Sequence, residues 1–254
     1  MIHSFLLIGQ SNMAGRGFAH EVEPIENRNL LVLRNGRWQR MYMPVNPDRK
    51  MSGVSLAESF ADCYAKDHEG VKVGLIPCAD GGSSLDMWQV GGLLFDHACY
   101  QAELASRTST IAGVLWHQGE SDCSPEQYPH YEEKLTVIFD ALQTRLGLHD
   151  VPFLLGGLGD FLPRHANPEQ AARYQNYVEI NAQLRHMAAT RERTGFVSAK
   201  GLSSNPDCLH FSAASLREFG LRYYEKFLTL EDKNKVFEEK STEDAAIRTD
   251  LEHL

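Results

Sequence analysis

A serine that directly follows an apolar run opens the chain's chemistry: Gly9-Gln10-Ser11-Asn12-Met13-Ala14-Gly15. A strand entering a turn of small residues can hold a hydroxyl at the edge of a sheet. Backbone N–H groups at the start of the following helix can then stabilise an oxyanion. Far along the chain stands Asp207-Cys208-Leu209-His210. A hydroxyl nucleophile needs a base to take its proton and a carboxylate to hold the imidazole in one tautomer. An aspartate and a histidine three residues apart on one loop can supply both. Each segment alone also fits a plain role, Ser11 as a turn residue and Asp207 as a helix cap.

Two further segments carry unusual polar content. In Trp116-His117-Gln118-Gly119-Glu120-Ser121-Asp122, Gln118 can aim an amide donor at a developing oxyanion. Glu120 and Asp122 can orient neighbours or accept from sugar hydroxyls. In Asp80-Gly81-Gly82-Ser83-Ser84-Leu85-Asp86-Met87-Trp88, paired glycines let a backbone N–H come close to a ligand. Trp88 is placed to stack on a sugar ring, or to serve as a core tryptophan. Several chemistries are absent from the motifs. The first segment lacks the second glycine of G-x-S-x-G, with Met13 in its place. It is neither a P-loop nor a dinucleotide fingerprint. No H-E-x-x-H metal pattern occurs, and no metal is expected. Glu120 and Asp122 stand too close on one loop to flank a glycosidic bond.

Taken together, these segments resemble the SGNH-hydrolase superfamily, and within it the carbohydrate-esterase branch of sialate O-acetylesterases and acetylxylan esterases. The resemblance rests on G-Q-S-N-M-A-G-R-G at residues 9–17, A-D-G-G-S-S-L at 79–85, W-H-Q-G-E-S-D at 116–122 and D-x-x-H at 207–210. It implies a flavodoxin-like three-layer α/β/α sandwich around a parallel sheet. It also implies Ser11 as nucleophile, His210 as general base and Asp207 as the group that orients it. The oxyanion hole would be the N–H groups of Ser11 and Gly82 with the Gln118 side chain. Gln118 stands where most of the superfamily has asparagine. Gln10, Asn12, Glu120 and Trp88 are the substrate-binding candidates. The implied activity is removal of O-acetyl groups from a sugar or oligosaccharide, without a cofactor. The alternatives are a lipase or thioesterase on the same fold, and a carbohydrate-binding protein without activity.

The elements that must position these residues are legible as alternation. Apolar runs at 3–8, 71–76, 111–116, 151–155 and 196–198 read as strands. Amphipathic spacing at 54–67, 93–107, 125–146, 169–191 and 212–228 reads as helices, with Gly147 as a C-cap. Strands separated by helices make a parallel sheet with both faces covered. Ligands then bind beyond the carboxyl ends of the strands, where loops 9–17, 78–88 and 117–122 should meet. Residues 18–52 read as a long irregular insertion with a hairpin turn at Asn35-Gly36.

With 43% hydrophobic and 23% charged residues in 254, residues 1–230 suit a single packed esterase domain. The charged tail 231–254 is expected to be helical or partly disordered. A net charge of −9 disfavours nucleic acid and anionic membranes as partners. Five cysteines without a C-x-x-C pair read as reduced thiols. Neither a secretory leader nor an apolar run of membrane-spanning length is visible, so a cytoplasmic location is expected. Oligomeric state is left open by these patterns.

Overall fold

The computed structural model describes residues 1–232 together with Lys235, Phe237 and Lys240. Most of the charged tail 231–254 therefore lies outside the described residues. The chain begins with β1 (Ile2–Gly9), followed by the one-turn helix α1 (Ser11–Ala14). A hairpin of β2 (Leu30–Arg34) and β3 (Arg37–Arg40) precedes α2 (Leu56–Asp67) and β4 (Lys72–Pro77). Next come α3 (Leu93–Ala105), β5 (Thr110–His117), α4 (Tyr131–Leu146) and β6 (Phe153–Gly156). The short α5 (Pro168–Tyr174), α6 (Tyr177–Thr190), β7 (Thr194–Val197) and α7 (Ala213–Leu228) complete the described fold.

The seven strands form one sheet in the order β3-β2-β4-β1-β5-β6-β7, parallel except for β3. Helices α2 and α7 pack on one another over one face, and α3, α4 and α6 cover the other. This is the three-layer α/β/α sandwich that the sequence resemblance implies. β1 is the central strand and is buried throughout, from Ile2 to Gly9. A strand buried on both sides and apolar from Phe5 to Ile8 is what a parallel sheet covered on both faces requires. Strand order reverses around β1, which has β4 on one side and β5 on the other. That reversal opens the crevice used for ligands in such sheets.

Three sequence expectations change. Residues 18–52 are not wholly irregular, because β2 joins the sheet beside β4. Its Leu-Leu-Val-Leu run is buried from Leu30 to Leu33 and reads correctly as an interior strand once paired. The Asn35-Gly36 turn is the expected one, with φ of 50° and 74° at its two residues. The helix expected from Pro125 starts instead at Tyr131, after a 3₁₀ turn over Tyr128–His130. Pro129 has no N–H to give to the turn below it, and it biases Tyr128 away from helical backbone. Gly147 does cap this helix, with φ 67°.

The long helix expected over 169–191 breaks after Tyr174. Tertiary bonds pull the break region outward. The Asn176 amide donates to Cys123 O at 2.8 Å, and the Arg173 guanidinium donates to Ser121 O. Local periodicity yields to these contacts with the loop after β5. Among the described residues, no helix is long and apolar enough to cross a membrane, and no cluster of His, Cys, Asp and Glu could hold a metal ion. The five cysteines are free.

Candidate active site

Parallel strands deliver their following loops to one edge, and backbone hydrogen bonds weld three of those loops together. Gln10 N–H donates to His117 O at 2.9 Å, Asp80 N–H to Gly9 O at 3.1 Å and Cys78 N–H to Leu7 O at 2.9 Å. The approach of β1 to β5 is so close that a Cβ on Gly9 would lie 2.1 Å from His117 O. Gly9 also holds φ +128°, a backbone that L side chains rarely adopt. Only glycine can end this strand and still turn Ser11 into the crevice.

Ser11 meets the far end of the chain there. His210 Nε2 lies 3.0 Å from Ser11 Oγ, and His210 Nδ1 lies 2.7 Å from Asp207 Oδ2. The loop that carries both residues lies between β7 and α7 and is shaped by Asp207 itself. Asp207 Oδ1 accepts from the N–H groups of Leu209 and His210, at 2.9 and 3.0 Å. Cys208 between them takes a left-handed φ of 52°. Asn205 closes the loop by donating its N–H to His210 O at 2.7 Å. Asp207 is therefore not the cap of the last helix; Ser212 is, accepting from Ser215 N–H.

Burial pushes the Asp207 carboxyl up. The hydrogen bonds from the His210 ring and the two N–H groups outweigh it and hold the pKa down at about 2. A depressed carboxylate adds stability that is present above its ordinary value of 3.8 and is lost as pH falls through about 2. Because the side chain is 43% exposed, solvent screening cuts this to about 1 kcal/mol. Asp207→Asn should therefore be less stable than wild type by about that much in urea unfolding at pH 7. The gap should hold down to about pH 4 and shrink below it. A gap already closed at pH 5.5 would contradict this account of Asp207.

Asn12 straddles the histidine. Its Nδ2 donates to Leu209 O at 3.2 Å and to Glu120 Oε1 at 2.5 Å, while its Oδ1 accepts from Phe211 N–H at 3.1 Å. The backbone on both sides of His210 is thus tied to the residue after Ser11. Asn12 is fully buried, so it positions the base and is not exposed to substrate. His117 lies behind this contact, its ring edge-on to Phe211 and Phe219. Burial lowers the His117 pKa, with Glu120 opposing.

Ser11 and His210 open on a cleft of about 340 Å³, with Gln10, Gly82, Glu120 and Tyr174 also in its walls. Of the sequence candidates, Ser11, Gly82, His210, Gln10 and Glu120 come together there. Glu120 is 2% exposed, and its Oε2 has no partner among the described residues. Four candidates do not line the cleft: Asp207, which stands behind His210, the buried Asn12, Trp88 and Gln118. Trp88 is fully buried and donates from Nε1 to Ser83 Oγ at 2.9 Å, packed edge-on against Trp116. It supports the 80–84 loop and offers no face to a sugar. Gln118 is also fully buried, and its amide N–H groups go to Ser83 O at 3.0 Å and Asp122 Oδ2 at 2.5 Å. With both N–H groups engaged, Gln118 cross-links two loops and has no donor left for an oxyanion. Asp122, its pKa raised by burial, continues that link to Leu85 N–H at 3.1 Å.

Sequence reasoning missed Arg16, Arg49, Met51 and Tyr174, all of which line the cleft. Arg16 forms a buried ion pair with Asp48 at 2.8 Å, and Asp48 accepts from Gly81 N–H at 2.8 Å. That chain of contacts fixes the glycine pair. The R-G ending of the first motif was its only sequence signal. Arg49, Met51 and Tyr174 come from segments whose placement depends on the insertion hairpin and on the broken helix.

Comparison with known proteins gives the family. The family model described as carbohydrate esterase, sialic acid-specific acetylesterase matches residues 1–229. A probable carbohydrate esterase of Arabidopsis thaliana is 26% identical over 250 residues, covering 89% of this chain and 90% of its own length. The X-ray structure of that Arabidopsis protein superposes with a TM-score of 0.76 at 24% identity, covering 91% of this chain and 99% of the other. A carbohydrate acetylesterase of Xanthomonas citri gives a TM-score of 0.63 at 16% identity, covering 90% of this chain and 56% of the other. The family match runs from the start of β1 to the end of α7 and takes in every residue of the Ser11 cleft, so the chain belongs to the sialic acid-specific acetylesterase family of carbohydrate esterases and is a carboxylic ester hydrolase.

Proposed function

We propose that this esterase removes O-acetyl groups from a carbohydrate through an acetyl-serine intermediate, with Ser11, His210 and Asp207 as its triad. The observation that carries the reading is the unbroken run of contacts from Ser11 Oγ through the His210 ring to Asp207. His210 Nε2 takes the Ser11 proton as Oγ attacks the acetyl carbonyl. Asp207 holds the tautomer that leaves Nε2 free to do so. The carbonyl electron pair moves onto oxygen, where Ser11 N–H and Gly82 N–H receive it. Neither N–H has an acceptor among the described residues. The tetrahedral species collapses, and the sugar oxygen leaves with the proton from His210. Water then attacks the acetyl-enzyme by the same route, restoring Ser11 and releasing acetate.

Glu120 is the group for the alcohol side of the ester. A buried carboxylate oxygen without a partner is costly, and a sugar hydroxyl would satisfy it. The carbohydrate reading is supported by the family and by a cleft wall rich in buried polar groups. Its test is acetate release from O-acetylated sugars, compared with acetyl and octanoyl esters of p-nitrophenol. A sugar deacetylase should prefer acetyl over octanoyl by at least about tenfold. Preference for octanoyl, with no acetate released from any acetylated sugar, would move the assignment to a lipase-type acyl hydrolase.

A further inference from the structure

With both Gln118 N–H groups engaged, the oxyanion site of the proposed esterase lacks a side-chain donor. We propose that Gln10 is that donor: its Nε2 joins Ser11 N–H and Gly82 N–H on the developing oxyanion. The inference rests on the serine-esterase reading above.

The orientation of the Gln10 amide is fixed by its other end. Gln10 Oε1 accepts from Gly119 N–H and Ser121 N–H, each at 3.3 Å. Turning the amide over would set its NH₂ against two N–H donors, so the oxygen belongs at residues 119–121 and the NH₂ points away from them. That NH₂ has no acceptor among the described residues. Yet the side chain is only 3% exposed and lines the cleft beside Ser11 and Gly82. This leaves the NH₂ open to the cleft, with no protein partner in the resting state. It is the expected arrangement for a donor whose acceptor appears only with the reaction, because pre-oriented dipoles need no reorganisation when charge develops.

The local backbone serves the same end. Gln10 is held to β5 by its own N–H on His117 O. Gly119 reaches its place with φ +146°, which brings its N–H to the Gln10 carbonyl. The 118–121 loop thus acts at one remove: Gly119 and Ser121 hold the Gln10 side-chain oxygen, and Gln10 meets the substrate. No proton leaves the amide. As the Ser11 Oγ–carbon bond forms, the carbonyl π pair moves to oxygen and Gln10 only donates a hydrogen bond to it.

The test uses Gln10→Glu and Gln10→Ala beside Gln118→Ala and Ser11→Ala. Each is assayed on p-nitrophenyl acetate and on its thiono analogue, with sulfur in place of the carbonyl oxygen. Gln10→Glu keeps an acceptor for Gly119 and Ser121 and so protects the fold. Gln10→Ala, uncharged, separates lost donation from added charge. Both variants should lower kcat on the oxygen ester about a hundredfold. KM should stay within about threefold and the pH profile of Gln10→Ala should match wild type. The thiono ester, a poor hydrogen-bond acceptor, should lose much less, so the oxygen-to-sulfur rate ratio should collapse. Gln118→Ala should keep the wild-type ratio. A folded Gln10→Ala with a wild-type ratio and kcat within about threefold would overturn the assignment of Gln10 alone. Wild-type rates in Ser11→Ala would instead overturn the serine-esterase reading, and this inference with it.

Discussion

Replacing Ser11 by alanine is expected to lower kcat on acetyl esters on the order of 10⁵-fold, with thermal stability unchanged within about 1 kcal/mol. The size follows from what the hydroxyl does. Without Oγ there is no covalent step for His210 to assist, and only the binding and oxyanion contributions remain. The small stability effect follows from the site. Ser11 is at the wall of a cleft, and the hydrogen bond linking its Oγ to a side chain is the one with His210 at 3.0 Å. Its backbone is held by Gln10 and Gly15, whose N–H donates to Ser11 O at 2.9 Å. Steady-state kinetics and a thermal melt on the same preparation check both parts. A variant that retains a tenth of the wild-type rate would mean that another group attacks the ester.

Asp207→Asn should be the next most damaging change, at about 10⁴-fold in kcat. An asparagine in this loop can present its NH₂ to His210 Nδ1. That forces the proton to Nε2, the nitrogen that must receive the Ser11 proton. Glu120→Gln should cost much less, about tenfold, since the isosteric amide still accepts from Asn12 through its oxygen and leaves His210 in place. The ranking matters more than either value. Both residues are acids within reach of the His210 loop, and each could be read from sequence as its orienting carboxylate. The contact of 2.7 Å belongs to Asp207, while Glu120 touches the loop through Asn12. If Glu120→Gln proved the worse of the two, the triad would have to be redrawn.

The parts of the fold legible in sequence were those set by short-range chemistry. The buried run of β1, the Asn35-Gly36 turn, the Gly147 cap and the D-x-x-H loop each follow from neighbours within a few residues. The misread parts depend on distant partners. β2 is a strand because β4 pairs with it. The break between α5 and α6 exists because Asn176 and Arg173 bond to the loop after β5. The candidate site divides the same way. Ser11, Asp207 and His210 were visible as residue types at telling positions. Gln118 and Trp88 have side chains suited to donation and stacking, and burial assigns them to bracing instead. Burial and hydrogen-bond saturation are three-dimensional properties that no spacing rule carries.

The central claim is that Ser11, activated by His210, is the group acylated during turnover. It is tested most directly by treating the protein with an organophosphorus ester and mapping the adduct by mass spectrometry. A tryptic cut after Arg16 places Ser11 in the peptide that also contains Ser4, and fragmentation separates the two. The account predicts one adduct per chain, on Ser11, with esterase activity lost in step and no labelling of Ser11→Ala. Full activity after treatment, or an adduct on any other residue that tracks the loss of activity, would contradict it.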